Sequence, residues 1–213
     1  MFRMIKIHFY YLFNKMMIYI VLITCLIVIL SLLLSEKNML SYLDNVYPLI
    51  KIITVLVGIF IYSYSISDAR DYYFYFYVGE VSRVKYMFTK LISIFVLNLF
   101  IILIVYLLFL VFSNVMIDDY YYFSLIHIRF IMILILSNVY GLMSFIIILL
   151  INNQFLMLIP FGLFILGDNL DTFSYILIND KTTSDNIFIY GIILLVIYWQ
   201  LAIIIYKYKD INY

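Results

Sequence analysis

The sequence is short of everything that punctuates or cross-links a chain. Its 213 residues include one cysteine, two prolines and six glycines. A single thiol excludes an internal disulfide and a cysteine-ligated metal site, and Cys25, in the middle of an apolar run, reads as a small packing residue. So little Pro and Gly excludes a loop-rich or disordered chain. Charge is scarce as well: Asp, Glu, Lys and Arg make up 12% of the residues, where a soluble domain carries about a quarter. With two histidines and no H-E-x-x-H, neither a metal cluster nor a nucleophile–base pair stands out, and no enzymatic activity is expected of the chain. There is no G-x-x-x-x-G-K-[ST] loop, so ATP hydrolysis is excluded too. No nucleic-acid partner is expected.

What the chain has in quantity is apolar surface. It is 68% hydrophobic and 20% aromatic, with a mean hydropathy of +1.15. A soluble core of that composition would leave apolar surface with nowhere to go, and lipid is the solvent that suits it. The apolar stretches run well past the roughly 10-residue alternation of a membrane barrel. Helices are the remaining way to satisfy the backbone inside a bilayer. The expected class is therefore an all-α integral membrane protein, a single transmembrane domain over 1–213. Residues 1–15 are charged, and no A-x-A-like cleavage site follows, so no removable signal peptide is read.

About 20 apolar residues cross the hydrocarbon core. Spans are expected near 16–35, 46–66, 91–113, 125–151, 153–167 and 187–206. The fifth is short: 155–167 offers only 13 apolar residues around Pro160, and Asp168-Asn169-Leu170-Asp171 then interrupts it. A re-entrant or interfacial hairpin is expected at about 168–180, within an outer hairpin and loop over 168–186. The Lys/Arg bias sets the orientation. Arg3, Lys6, Lys15, Arg70, Arg83, Lys85, Lys90, Lys207 and Lys209 fall on one side, and Lys37, Lys51, Arg129 and Lys181 on the other. Counting acids, the sides carry +5 and −4, which agree with the net +1 of the chain. Six spans with both termini cytoplasmic in a cell membrane follow.

Two segments on the basic side stand out. In residues 1–15, Phe2, Ile5, Phe9, Leu12 and Phe13 share one helical face while Arg3, Lys6, Tyr10 and Asn14 share another. That is the pattern of a helix lying in the membrane interface, or more blandly of a basic flank of the first span. His8 lies between the faces with no second metal ligand nearby. Residues 67–90 form the one long cytoplasmic loop and contain six consecutive aromatics, Tyr72 to Tyr77, among three acids and four bases. Rings on every side suit burial in a protein groove or at the headgroup layer.

Energy input is limited by what the spans lack. All twelve acids lie in loops or at span ends, whereas a proton- or sodium-coupled carrier places a carboxylate near the midplane. A separate ATPase polypeptide is the economical source. Asn98 and Asn138, with Ser137 and Ser144, are polar residues within spans; they either line a substrate path or bond between helices. Lys51 and Arg129 lie about a turn inside the outer ends of their spans and can snorkel outward. His127, beside Arg129, reads as an interfacial group.

The loop also carries a family resemblance. Val81-Ser82-Arg83 is followed by Lys90 seven residues after the arginine, and Asp68-Ala69-Arg70-Asp71 precedes them. This resembles the coupling loop of type-2 ABC transporter permeases, with Glu80 where the family has proline and aromatics where it has leucines. The resemblance implies six spans, an N-terminal interfacial helix, a cytoplasmic coupling helix and short re-entrant helices before the last span. It implies that Asp68, Arg70, Asp71, Tyr73, Tyr75, Tyr77, Glu80, Ser82 and Arg83 engage an ATP-binding subunit. The chain would hold no cofactor of its own, ATP and Mg residing on that partner. A second permease copy, identical or homologous, membrane lipids and an amphipathic substrate are the other implied partners. Small and rich in Ile, Tyr and Asn, the chain resembles Gram-positive permeases that export peptides or confer bacteriocin immunity. A non-transporting sensor or assembly subunit is the alternative.

In a Cys25→Ser background, single cysteines at Lys37, Asp118 and Lys181 are expected to react with an impermeant thiol reagent from outside the cell. Those at Lys15, Arg83 and Lys209 should react only after the membrane is opened. Same-side labelling of Lys181 and Lys209 would remove the last span.

Overall fold

The computed structural model describes Leu26, Ile29 and residues 39–66, 82–116, 123–169 and 184–208, with side chains placed over 46–66, 82–111, 126–166 and 188–208. The expected interfacial helix at 1–15, the first span apart from the helical Leu26 and Ile29, the segment 67–81 and the hairpin beyond Asn169 lie outside the described residues. The described residues are helical except Ser82, Asn152 and Asn153, and no strand is among them.

The long helices are α1 (Met39–Ile66), α2 (Arg83–Met116), α3 (Phe123–Ile151) and α5 (Ser184–Tyr208), with the short α4 (Leu158–Asn169) between the last two. Their Ile/Leu/Phe-rich runs hold only scattered polar residues, so the backbone is satisfied chiefly within each helix, as a lipid environment demands. Stretches Val46–Ile66, Arg83–Val111, Ile126–Ile151 and Phe188–Tyr208 are each long and apolar enough to cross a membrane. At 34 residues, α2 is about 51 Å long and exceeds the hydrocarbon core. Residues 83–90, the end of the 67–90 segment, are its first two turns.

The chain breaks after α3 for a local reason. The Asn152 backbone takes a left-handed conformation with φ of 59°, which asparagine tolerates better than the β-branched residues before it. The Asn153 side chain then accepts a hydrogen bond from the Phe155 amide, 3.0 Å, opening a single 3-10 turn at Gln154–Met157. Pro160 follows in the first turn of α4, where its missing N–H costs no helical bond. The 12 residues of α4 make an apolar helix shorter than the other four.

Ring and side-chain contacts give the directions of the helices. Tyr47 meets Arg129, Tyr62 meets Asn138, and Ser63 meets Ser144, so α1 and α3 run parallel. Asn98 meets Ser137 and Phe109 meets Phe130, so α2 runs against α3. Tyr86 stacks on Tyr206 and Phe95 lies against Trp199, so α5 runs against α2 and parallel to α3. The chain must therefore return from the face where α3 ends to the face where α5 begins between residues 152 and 183. Helix α3 sits at the centre: 72% of its span is buried, against 11% for α5, and it feeds all three apolar clusters of the core.

Exposed Leu107, Val111, Ile131, Ile193 and Val196 belong to an apolar surface spread over α2, α3 and α5. Soluble monomers do not expose so much contiguous apolar area. The protein is membrane-embedded.

Two glycines allow α1 and α3 to approach. A Cβ on Gly58 would lie 2.8 Å from the Ser137 carbonyl oxygen, and one on Gly141 would lie 2.3 Å from the Tyr62 ring. Gly162 in α4 has open space around it. Gly58→Val or Gly141→Val is expected to destabilise the fold by about 1–3 kcal/mol through overpacking. Gly162→Ala should be neutral or stabilise by up to about 1 kcal/mol through helix propensity. Thermal unfolding of the purified protein in detergent measures both, and an unchanged midpoint for Gly141→Val would contradict the close approach.

Candidate functional site: a polar seam and a basic end

Three α1–α3 contacts through side chains make a polar seam inside an otherwise apolar bundle. Nearest the face where α1 and α3 begin, the Ser137 hydroxyl donates to the Thr54 carbonyl, 3.0 Å, and accepts from the Asn98 amide, also 3.0 Å, tying α1, α2 and α3 at one point. At the next residue of α3, the Tyr62 hydroxyl donates to Asn138 Oδ1, 2.8 Å, while Asn138 Nδ2 donates to the Leu134 carbonyl, 2.7 Å. Beyond it, the Ser63 and Ser144 hydroxyls share a hydrogen bond of 2.7 Å. All of these side chains are buried.

The seam answers where the structure places Asn98 and Asn138. Both are fully buried: the Asn98 amide bonds Ser137 of α3, and Asn138 Oδ1 accepts from Tyr62 of α1 while its Nδ2 bonds Leu134 in its own helix. Polar atoms at membrane depth need such partners because the surroundings offer none. The asparagines, Ser137 and Ser144 stand out in the sequence, whereas Tyr62, Thr54, Ser63, Gly58 and Gly141 do not. The available signal was a polar or small residue every few positions along two apolar helices.

Toward the face where α3 begins, a groove of about 480 Å³ opens between α2 and α3. Its walls include Leu99, Leu103, Ile131 and Leu134, and at one end the Tyr106 hydroxyl bonds the His127 ring at Nδ1. The Arg129 guanidinium lies 4.9 Å from the centre of the Tyr47 ring on the other side of α3. Lys51 departs from the outward snorkelling expected of it. It is only 3% exposed, and its ammonium lies 5.8 Å from the centre of the Phe164 ring. Helix α4 lays that ring face over α1, which supports a cation in a way that headgroups would otherwise have to.

At the opposite face the nine coupling candidates divide. Asp68, Arg70, Asp71, Tyr73, Tyr75, Tyr77 and Glu80 lie outside the described residues. Ser82 and Arg83 are where the segment enters α2. Ser82 caps the helix, its hydroxyl accepting from the Lys85 amide, 3.3 Å, and its carbonyl from the Tyr86 amide, 3.0 Å. An N-cap serine fits because the first helical N–H groups have no partner within the helix. The seven-residue step from Arg83 to Lys90 is about two turns, so the two cations share a helix face. Between them the Tyr86 ring stacks on Tyr206, 6.0 Å between centres, and the Lys90 ammonium lies 5.7 Å from the centre of the Tyr86 ring. Trp199 adds to the same α2–α5 seam against Phe88 and Phe95, its buried Nε1–H having no acceptor among the described residues.

Among the described residues no three His, Cys, Asp or Glu side chains converge as metal ligands would. No protein-family model and no curated protein matches this chain.

The seam predicts a measurable coupling. Tyr62→Phe and Asn138→Leu are each expected to destabilise the protein by about 0.5–2 kcal/mol, interhelical hydrogen bonds in membranes averaging about 0.6. The double variant should lose less than the sum, because both remove one shared bond. Strict additivity in detergent unfolding would mean the bond contributes nothing.

Proposed function

We propose that the chain is a multi-pass permease subunit of the type-2 ABC transporter class. It moves an amphipathic peptide, or a lipid-like or antimicrobial compound, out of the cell, with ATP and Mg held by a separate ATPase. In this reading it has six spans and both termini in the cytoplasm, and it pairs with a second permease, identical or homologous. The face where α1, α3 and α5 end is the cytoplasmic one.

The observation that carries the reading is the junction at Ser82. A segment rich in charge and aromatic rings ends in a capped helix that runs unbroken for 34 residues to the opposite face. A docked ATPase that displaces residues 67–82 would therefore move a stiff rod spanning the whole bilayer. Two further facts support it. Arg83, Lys85, Lys90 and Lys207 gather at the face proposed as cytoplasmic, as positive-inside bias requires. The return of the chain between α3 and α5 also calls for a crossing where the short fifth span is expected.

A second reading has one observation in its favour. Asn98 and Asn138, the polar residues proposed to line a path, are consumed in helix fastening, which suits a non-transporting sensor or assembly subunit. ATPase activity on co-purification, and its stimulation by an amphipathic peptide, separates the two.

The coupling test replaces Tyr73, Tyr75 and Tyr77 with alanine. If these rings supply most of the buried area at the ATPase, the triple variant should lose most of the co-purifying ATPase while inserting normally, since no span is touched. Charge reversal at Arg70 and Asp71 should weaken docking more at low salt than at high salt, because exposed pairs are screened. Full retention of the ATPase by the triple-Tyr variant would make the aromatic run an interfacial belt and sink the coupling assignment.

A further inference from the structure

The α2–α5 seam places cations and apolar side chains together in a way that neither helix does alone. Tyr86 stacks on Tyr206, which brings the start of α2, with Arg83, Lys85 and Lys90, beside the end of α5, with Lys207. Lys85 and Lys207 are exposed and Arg83 is half-buried. No Asp or Glu is among the side chains described anywhere in the bundle. Glu80 and Asp210 lie near this end in sequence, and even with both counted, the cations, Lys209 included, outnumber the acids.

Directly beside the cations the surface turns apolar. Val84 and Phe88 are 41% and 39% exposed one helical turn apart, flanking Lys85, and Trp199 continues the face against Phe88. A soluble acidic partner would answer the charges and leave these side chains uncovered. A phospholipid answers both, with a phosphate for the ammonium groups and acyl chains for Val84, Phe88 and the Trp199 ring. Basic clusters between helices at the cytoplasmic surface select anionic headgroups for this reason, and long cationic side chains reach the headgroup layer while their stems cover apolar surface.

We infer that the junction between the start of α2 and the end of α5 is a binding site for an anionic phospholipid of the inner leaflet. Its phosphate lies between Lys85 and Lys207, since Arg83, two residues from Lys85, points to another face of α2, and its chains lie along Val84, Phe88 and Trp199. The inner-leaflet assignment rests on the orientation proposed above, whereas the site itself does not depend on ATP-driven export.

Native mass spectrometry of the purified chain tests this, in detergent micelles with equal mole fractions of phosphatidylglycerol and phosphatidylcholine. The wild type should retain phosphatidylglycerol in preference by on the order of tenfold. Lys85→Gln/Lys207→Gln should abolish most of that preference, while Lys85→Arg/Lys207→Arg keeps it and so controls for folding. Arg129→Gln, at the opposite face, should leave it unchanged. Equal retention of the two lipids by the wild type overturns the site, as does a preference that survives the glutamine pair or that Arg129→Gln abolishes. A wild type without lipid preference, whose glutamine pair instead sheds a bound soluble protein, would make the surface a protein-docking face and also overturn it. Only this chain and lipid are needed, so failure here leaves the exporter reading standing, and loss of that reading leaves the lipid site standing.

Discussion

The close approach of α1 and α3 is the contact on which the rest of the bundle depends. Lipid is as apolar as leucine, so burying Ile and Leu between helices gains little over leaving them in the bilayer. What remains is dispersion at short range and hydrogen bonding between helices. Gly58 and Gly141 supply the short range, each standing where a Cβ would run into the opposing helix. That proximity brings the Ser137, Asn138 and Ser144 side chains within bonding distance of Thr54, Tyr62 and Ser63. A wider separation would lose the contact and strand the polar groups together.

Helix α3 consequently becomes the axis of the protein, and the other helices are arranged by what it offers them. Asn98 ties α2 to the seam at a single point. On the α1-start side of that point the groove ending at Tyr106 and His127 runs along α2 and α3. On the other side α2 leans on α5 through rings: Tyr86 on Tyr206, and Phe88 and Phe95 on Trp199. Aromatic contacts of this kind tolerate sliding better than a close glycine contact does. The long helix that follows the charged aromatic segment thus meets α3 through the Asn98–Ser137 bond and, nearer its far end, through Tyr106–His127 and Phe109–Phe130. It meets α5 through rings, while the α1–α3 pair is also locked by close glycine contacts. In an exporter that difference would let α2 respond to a partner at its capped end without dissolving the core.

Much of the fold was legible without coordinates because the bilayer imposes a coarse rule. Apolar runs near 46–66, 125–151 and 187–206 closely match helical stretches long enough to cross a membrane. The break at Asn152-Asn153 falls at the junction of the expected fourth and fifth spans. The start of α2 was harder to read, because Arg83, Lys85 and Lys90 look like loop residues by charge alone. They are helical because Ser82 caps the backbone and because cations at this depth can reach the headgroups. Lys51 was misjudged for a related reason. Its position within α1 allowed an outward reach, but α4 folds back and lays Phe164 against it, a contact between residues more than a hundred positions apart.

By itself the sequence determined the solvent: at this hydropathy and with these uninterrupted runs, only lipid accommodates the chain, and only helices satisfy its backbone there. It also determined where charge accumulates, since Lys and Arg positions can be counted from the chain alone. Tertiary structure alone decided which polar residues meet. Asn98 and Asn138 look equally suited to a substrate path or to a helix contact until the neighbouring helices are placed, because hydrogen-bond partners one helix away leave no trace in local periodicity. It alone decided that α1, α3 and α5 run the same way, and that the start of α2 and the end of α5, each with its cations, lie side by side. Both follow from contacts between segments far apart in the chain, and the energies of those contacts depend on distances of a few ångströms that no count of residues contains.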